Sequence, residues 1–403
     1  MGRTVLKSNL IDLLAYPPPF SCWLALCSDP DATTFDTWQV LHQLIWADLR
    51  LPFGDSFFIA NRNLQWSNQV SLTEHPEILT AHPHDTMHTW GDYIFSGSYR
   101  FTRADAEEGL QRLQGLGVVP RVWTDHSNFS GNLLHRASTQ ATPFTMDRSG
   151  HQYVNELYTL DLIRAAGVRY VWDGTLQKHV VGQDRHVTAW QWYEGRYRAR
   201  NRLAMVLLDR VTRPFDKLRN QEIFSYSPAG NAQYYPHQFP DGSRLYCFPR
   251  FGSWGSGDID GLGSLLAPAQ VERLIRSQGT AVVYTHLGKR HVSRRDAATH
   301  VPEATIQALR NLAEKHHAGA VQISPTAELL DYLVLRDHIR IDGTTLHFEP
   351  DAIRFPDLAP RDLEGHSFGL RLRSRDITVM CRGTRVRTVD VEPMGDVHRL
   401  RIH

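Results

Sequence analysis

The chain has 403 residues, and its 44 Lys and Arg almost cancel its 43 Asp and Glu, leaving a net charge of +1. That length buries a large core, and the balance excludes a basic stripe for nucleic acid or an anionic membrane surface. Histidine is the outlier, with 21 residues that cluster rather than scatter.

The N-terminal stretch MGRTVLKSNLIDLLAYPPPF has no long apolar run before a small-residue cleavage site, and the following FSCWLALC is too short to span a bilayer. FSCWLALC reads as an opening strand that ends at Asp29 and Asp31. No CxxC pair joins Cys22, Cys27, Cys247 and Cys381, which fit buried thiols of a reducing compartment. A soluble, cytoplasmic protein is expected. From there a helix-period stretch is repeatedly followed by a short apolar strand, usually across a glycine. FDTWQVLHQLIWADLRL precedes SFFIANR. RADAEEGLQRLQGLG precedes VVPRVWTDH, with Leu110, Leu113 and Leu116 on one face and Thr102 as the cap. YTLDLIRAAG precedes VRYVWDG, and APAQVERLIRSQG, with Pro268 in its first turn, precedes TAVVYTH. VPEATIQALRNLAEKHHAG, with Ile306, Leu309 and Leu312 in register, precedes AVQIS.

Six or seven such units predict an α/β fold of barrel type, in which functional side chains gather at the C-terminal strand ends. Those ends carry Asp29 and Asp31, His84, Asp125 and His126, Asp173, and His286. Residues 176–265 read as an insertion, rich in aromatics (Trp190, Trp192, Tyr193, Tyr197, Tyr234, Tyr235) and then in glycine. Its rings would either stack on sugars or bury the insertion against the barrel. From about residue 336 the hydrophobic period becomes two, and HIRIDGTTLHF reads as a hairpin across an Asp-Gly turn. The domains are therefore drawn as residues 1–335 and an all-β unit of 336–403.

The densest chemistry lies in AHPHDTMHTW, residues 81–90, where His84 and His88 stand four apart. On a helix those positions share a face, and both imidazoles reach one ion. Taken alone, HxxxH is as easily a surface or capping pair, and Asp29-Pro30-Asp31 an ordinary turn in which Asp31 caps the next helix. Joined to a carboxylate from Asp29 or Asp31, the histidines make a two-histidine, one-carboxylate face with open positions for water and substrate. His286, ending TAVVYTH, reads as a catalytic acid, oriented by Asp125 or Asp173. Trp90 and Asp92 stand close enough behind the histidines to contact substrate.

The strand-end Asp-x-Asp, the later H-x3-H and the late YTH strand resemble the polysaccharide deacetylase family, also called carbohydrate esterase family 4 or the NodB-homology domain. The likeness covers residues 20–335. It implies an incomplete (β/α)7-type barrel, to which the all-β unit read from the period is a small appendage, with Asp29 as catalytic base, Asp31, His84 and His88 as metal ligands and His286 as general acid. It further implies a divalent metal, zinc first, with iron, cobalt or nickel also suited. The implied activity is removal of an acetyl group from an N-acetylated sugar or a glycan precursor. The sequence departs from the family where Pro30 splits the acidic pair and where Asp85 replaces the serine or threonine of the histidine motif. RVWTDHSNFSGN also stands in place of the arginine–proline motif that braces the base. Two other readings stay open: a C–N hydrolase of a small or cyclic amide, and a non-catalytic carbohydrate-binding barrel. Neither nucleic acid nor a membrane is expected as a partner.

Overall fold

The computed structural model describes residues 10–93, 96–124, 144–146, 152–154, 159–177, 232–239, 242–252, 258–289, 301–349, 359–373 and 376–403, with scattered positions within 201–207. Eight parallel strands form its central sheet: β1 (Cys22–Ser28), β2 (Asp55–Phe57), β3 (His84–His88), β4 (Val122–Thr124), β5 (Tyr170–Gln177), β6 (Arg244–Phe251), β7 (Thr280–Thr285) and β8 (Val321–Ser324). Their order is β8-β1-β7-β6-β5-β4-β3-β2, and a ninth strand, Tyr235–Gln238, lies antiparallel on β6. Every residue of β1 and of β7 is buried, as expected of parallel strands covered on both faces.

The main α-helices among the described residues are α1 (Phe35–His42), α2 (Arg103–Leu116), α3 (Leu160–Ala165), α4 (Ile259–Leu265), α5 (Pro268–Ser277), α6 (Glu303–His317) and α7 (Thr326–Asp337). Local chemistry sets their ends. Asp105 accepts from the Thr102 backbone N–H at 2.7 Å at the start of α2, and Gly117, in the left-handed region at φ 67°, closes the helix. Pro268 occupies the first turn of α5, as its sequence position predicts. Leu24 and Leu26 of β1 pack outward on Leu41, Leu274, Leu309 and Leu312. Farther along the sheet, Met87, Trp123 and Val171 pack on Leu113 and Ile163.

The opposite face is concave. Trp23, Ala25 and Cys27 of β1 share one core there with Tyr170, Trp172, Tyr246 and Phe248. No ladder joins the edge strand β2 to β1, yet the Ser56 hydroxyl donates to the Ser28 carbonyl, so the sheet curls back on itself. The architecture is a mixed α/β fold with a curled, open parallel sheet, a half-barrel. β6 lies inside the span that the sequence presents as an insertion, but it pairs on both sides within the sheet.

α7 closes the N-terminal side of the concave face. Nine of its residues are buried, and Tyr332 packs on Trp23 at 4.7 Å and on Phe368 at 5.4 Å. The Asp85 carboxylate accepts from the Ala327 backbone N–H at 2.6 Å and so satisfies a donor of the first helical turn. Two four-stranded sheets follow. Ile11–Leu13, Ser367–Leu372, Val397–Ile402 and Val389–Met394 make one, antiparallel throughout. Ile339–Asp342, Thr345–Phe348, Thr378–Cys381 and Thr384–Arg385 make the other, with one parallel pair. Its first hairpin turns through Gly343 at φ 59°, the Asp-Gly turn expected from sequence. All four cysteines are free and buried. Among the described residues no helix is long and apolar enough to cross a membrane.

Candidate functional site

His84 and His88 do not share a helix. Residues His84–His88 are strand β3, paired with β2 on one side and β4 on the other. Four residues of strand advance about 13 Å, so the two imidazoles lie at opposite ends of the element and cannot bind one ion. The expected triad of Asp31, His84 and His88 is corrected accordingly. His84 joins Asp55 and His82 at the N-terminal end, and His88 joins Asp29 and Asp31 at the C-terminal end.

The C-terminal rim assembles from four strand ends. Asp29 follows β1, and its backbone N–H donates to the Thr285 carbonyl of β7 at 2.8 Å. Asp31 is free of capping duty, because Thr34 is the N-cap of α1 and accepts from the Thr37 N–H. His88 Nε2 stands 3.6 Å from Asp31 Oδ2, and its Nδ1 stands 3.8 Å from Asp29 Oδ1. His286, just past β7, places Nε2 3.1 Å from Asp31 Oδ2 and 3.2 Å from the Tyr284 hydroxyl oxygen. Its Nδ1 is 3.0 Å from Asp258 Oδ1. All these groups are buried.

Two residues that sequence reasoning missed complete the cluster. Arg250, 0% exposed at the end of β6, grips Asp29 with both amino groups, at 2.6 and 3.1 Å. Its guanidinium also lies 3.4 Å from the Trp172 ring centre and 4.4 Å from that of Tyr284. An arginine inside the apolar run RLYCFPRF was the available signal, since a buried guanidinium requires a buried counter-charge. Asp258 stands at the N-cap position of α4, yet its side chain makes no capping hydrogen bond and faces His286. It takes the orienting role expected of Asp125 or Asp173; Asp125 and His126 lie outside the described residues, as does the side chain of Asp173.

The backbone around the rim is shaped for this convergence. Ala32 and Thr89, one residue beyond Asp31 and His88 respectively, adopt φ of 58° and 57°, and for a β-branched threonine that region is a true outlier. Gly288 lets the segment after His286 approach the Asp31–Thr33 turn, since a Cβ there would come 2.5 Å from Thr33 Cα. Asp92 and Trp90 act behind the site rather than in it. Asp92 accepts from Asn63 at 2.8 Å and Gln69 at 2.6 Å, and Gln69 in turn accepts from the Ala32 N–H. Trp90 is core, 1% exposed, packed on Trp123 with its indole N–H donating to Thr159. Among the insertion aromatics, Tyr234 donates to Asp337 and Tyr235 begins the ninth strand; the other four lie outside the described residues.

The electrostatics separate the roles. Burial pushes the Asp29 carboxyl up, but Arg250, His88 and His286 outweigh it and hold the group ionised, below its ordinary value. Asp31 is also opposed by burial, and contacts with His286 and His88 bring it well below the usual carboxylate range. Burial disfavours the His286 cation, yet Asp258 and Asp31 lift the ring to about 9, so it is protonated at neutral pH. At the other end of β3, burial pulls His84 down to about 4 despite Asp55 beside it, so that ring is neutral.

Either Asp/His cluster could bind a metal ion. At the rim the 3.6 Å between Asp31 Oδ2 and His88 Nε2 suits neighbouring ligands at about 2.1 Å from one ion. The rim set is two carboxylates and one imidazole, harder than the set expected from sequence. Compared with known proteins, the chain matches no family model, no curated protein and no solved structure.

Proposed function

We propose that the rim cluster is the active site of a hydrolase that removes an acyl group from nitrogen, most simply an acetyl group from an N-acetylated sugar or glycan precursor, on an incomplete barrel of the polysaccharide deacetylase kind. The observation that carries this reading is one constellation of strand-end residues: Arg250 on Asp29, Asp31 beside His88, and Asp258 on His286. Arg250 braces Asp29 as the family's arginine braces its base, although it comes from a different segment. Asp31 and His88 would hold a divalent cation, which would supply Lewis acidity toward the acyl carbonyl and the attacking water. The donor set accommodates zinc and, with its second carboxylate nearby, manganese or iron.

Asp29, kept anionic and aimed by Arg250, accepts the proton of the water that attacks the acyl carbon. His286 carries the proton that the departing amine needs when the C–N bond breaks, and Asp258 holds its ring in place. A carboxylic acid and an amine result, and solvent resets the two protonation states. The buried free thiols suit the cytoplasm as the place of work.

The test is release of acetate from a panel of N-acetylated amino sugars and small amides. Asp29→Asn and His286→Ala should each lower turnover about 10²- to 10⁴-fold. A wild-type protein that cleaves no member of the panel, or variants at full rate, would sink the reading. A metal-independent amide hydrolase is favoured by one observation, the 3.1 Å contact through which His286 alone can neutralise Asp31. Activity that survives thorough chelation selects it. Sugar binding without turnover selects a carbohydrate-binding protein instead.

A further inference from the structure

We propose that Asp55, His82 and His84 form a second divalent-cation site, structural in kind, at the N-terminal end of β3. The inference does not depend on the rim being catalytic. His82 Nε2 lies 3.4 Å and His84 Nε2 4.0 Å from the same oxygen, Asp55 Oδ2. Side-chain exposure is 2% for each histidine and 12% for Asp55.

Hydrogen bonding fixes what these atoms offer. His84 Nδ1 lies 2.8 Å from the His82 carbonyl, which only accepts, so Nδ1 carries the proton. In a neutral ring Nε2 is then a bare lone pair, and it has no hydrogen-bond partner among the described residues. That lone pair faces a carboxylate oxygen across 4.0 Å, an arrangement of two acceptors that only a cation or a bridging proton donor reconciles. His82 has an ordinary alternative, donating from Nε2 to Asp55. His84 has none. His82 Nδ1 meets His42 Nδ1 at 2.9 Å, and if His82 donates there its Nε2 is also freed for an ion. The other oxygen of Asp55 accepts from the Ser56 N–H at 2.8 Å, which fixes the carboxylate orientation.

The surroundings are those of a closed site. Trp46 stacks on His82 at 3.7 Å, and His82 stacks on His84 at 4.3 Å. Beside Asp55 and His84 lies a cavity of about 20 Å³, walled by Trp38, Leu41, Trp46 and Phe57. That is room for one water and none for an organic substrate, so two imidazoles, one carboxylate and a water complete a four-coordinate set suited to zinc or cobalt. The ion would staple β2, the short edge strand of an open sheet, to β3, and His42 would extend the tie to α1.

The probe is Co2+ added to full-length protein stripped by chelation, read by its visible absorption. Wild type should take up two equivalents, Asp31→Asn one, and His84→Gln one. The band retained by Asp31→Asn should disappear in the Asp31→Asn, His84→Gln double variant. Zinc added to stripped Asp31→Asn should raise Tm by about 5 °C, a measurement that needs no second substitution to fold. Unchanged cobalt uptake in a folded His84→Gln variant, or no Tm shift with zinc in Asp31→Asn, would overturn the second site and leave the rim untouched. Loss of rim binding with retention of this site would do the reverse.

Discussion

The two ends of β3 set the same residue types, aspartate and histidine, in opposite electrostatic company. At the C-terminal end, carboxylates face a guanidinium and a protonated imidazole, and the backbone beside them departs from ordinary φ at Ala32 and Thr89. At the N-terminal end His84 is neutral, stacked on His82 and close to a cavity walled by tryptophan. On the two proposals above, charge paired with charge at the rim would move protons, while the closed pair of imidazoles at the other end would hold an ion still. The same HxxxH therefore serves two ends of one strand rather than one face of a helix.

Variants can break or sharpen that contrast. The largest effect on stability is expected from Arg250→Leu, which leaves Asp29 buried without its partner and should cost about 3–5 kcal/mol in denaturant unfolding. A cost near zero would mean that Asp29 is not held by that guanidinium. Gly288→Ala comes next. Its Cβ would meet Thr33, so a loss of about 1–3 kcal/mol is expected together with a fall in turnover, because His286 and Asp31 are drawn apart. Loss of stability with normal turnover would uncouple that loop from the site.

A smaller effect lies in the pH dependence of the metal-free protein. The His286 ring rises from an ordinary 6.5 to about 9 on folding, so its stabilisation is complete below pH 6.5 and is lost as pH climbs through 9. Urea midpoints of chelated wild type should fall across that interval, and His286→Gln should flatten the fall. An identical slope in both proteins would place the titration elsewhere. Least of all, Thr34→Ala should cost about 1 kcal/mol through the lost cap of α1, with the rim chemistry spared.

Much of this was legible from the chain. Apolar runs marked β1 and β2, periodicity and glycine punctuation marked β4, β5, β7 and β8, and the titratable residues at β1 and β7 do meet at one rim. The strand over residues 84–88, with His84 at its start rather than at a strand end, was not legible, because HDTMH has neither strict alternation nor a β-branched run, and pairing on both sides decides its state. Arg250 and Asp258 were hidden for a different reason. Each lies in a segment that looked like inserted loop, and their importance arises from contacts across more than two hundred residues for Arg250 and from a turned-away cap for Asp258. Trp90 illustrates the converse: proximity in sequence to a histidine placed it near the site, while the bend after β3 puts it in the core.

Anomalous diffraction at the zinc edge, from crystals grown with Zn2+, bears most directly on the division of β3 between two sites. One peak beside Asp31 and His88 and a second among Asp55, His82 and His84 are expected. A peak at the rim alone would remove the structural site; a single ion shared by His84 and His88, or none at either end, would contradict the division itself.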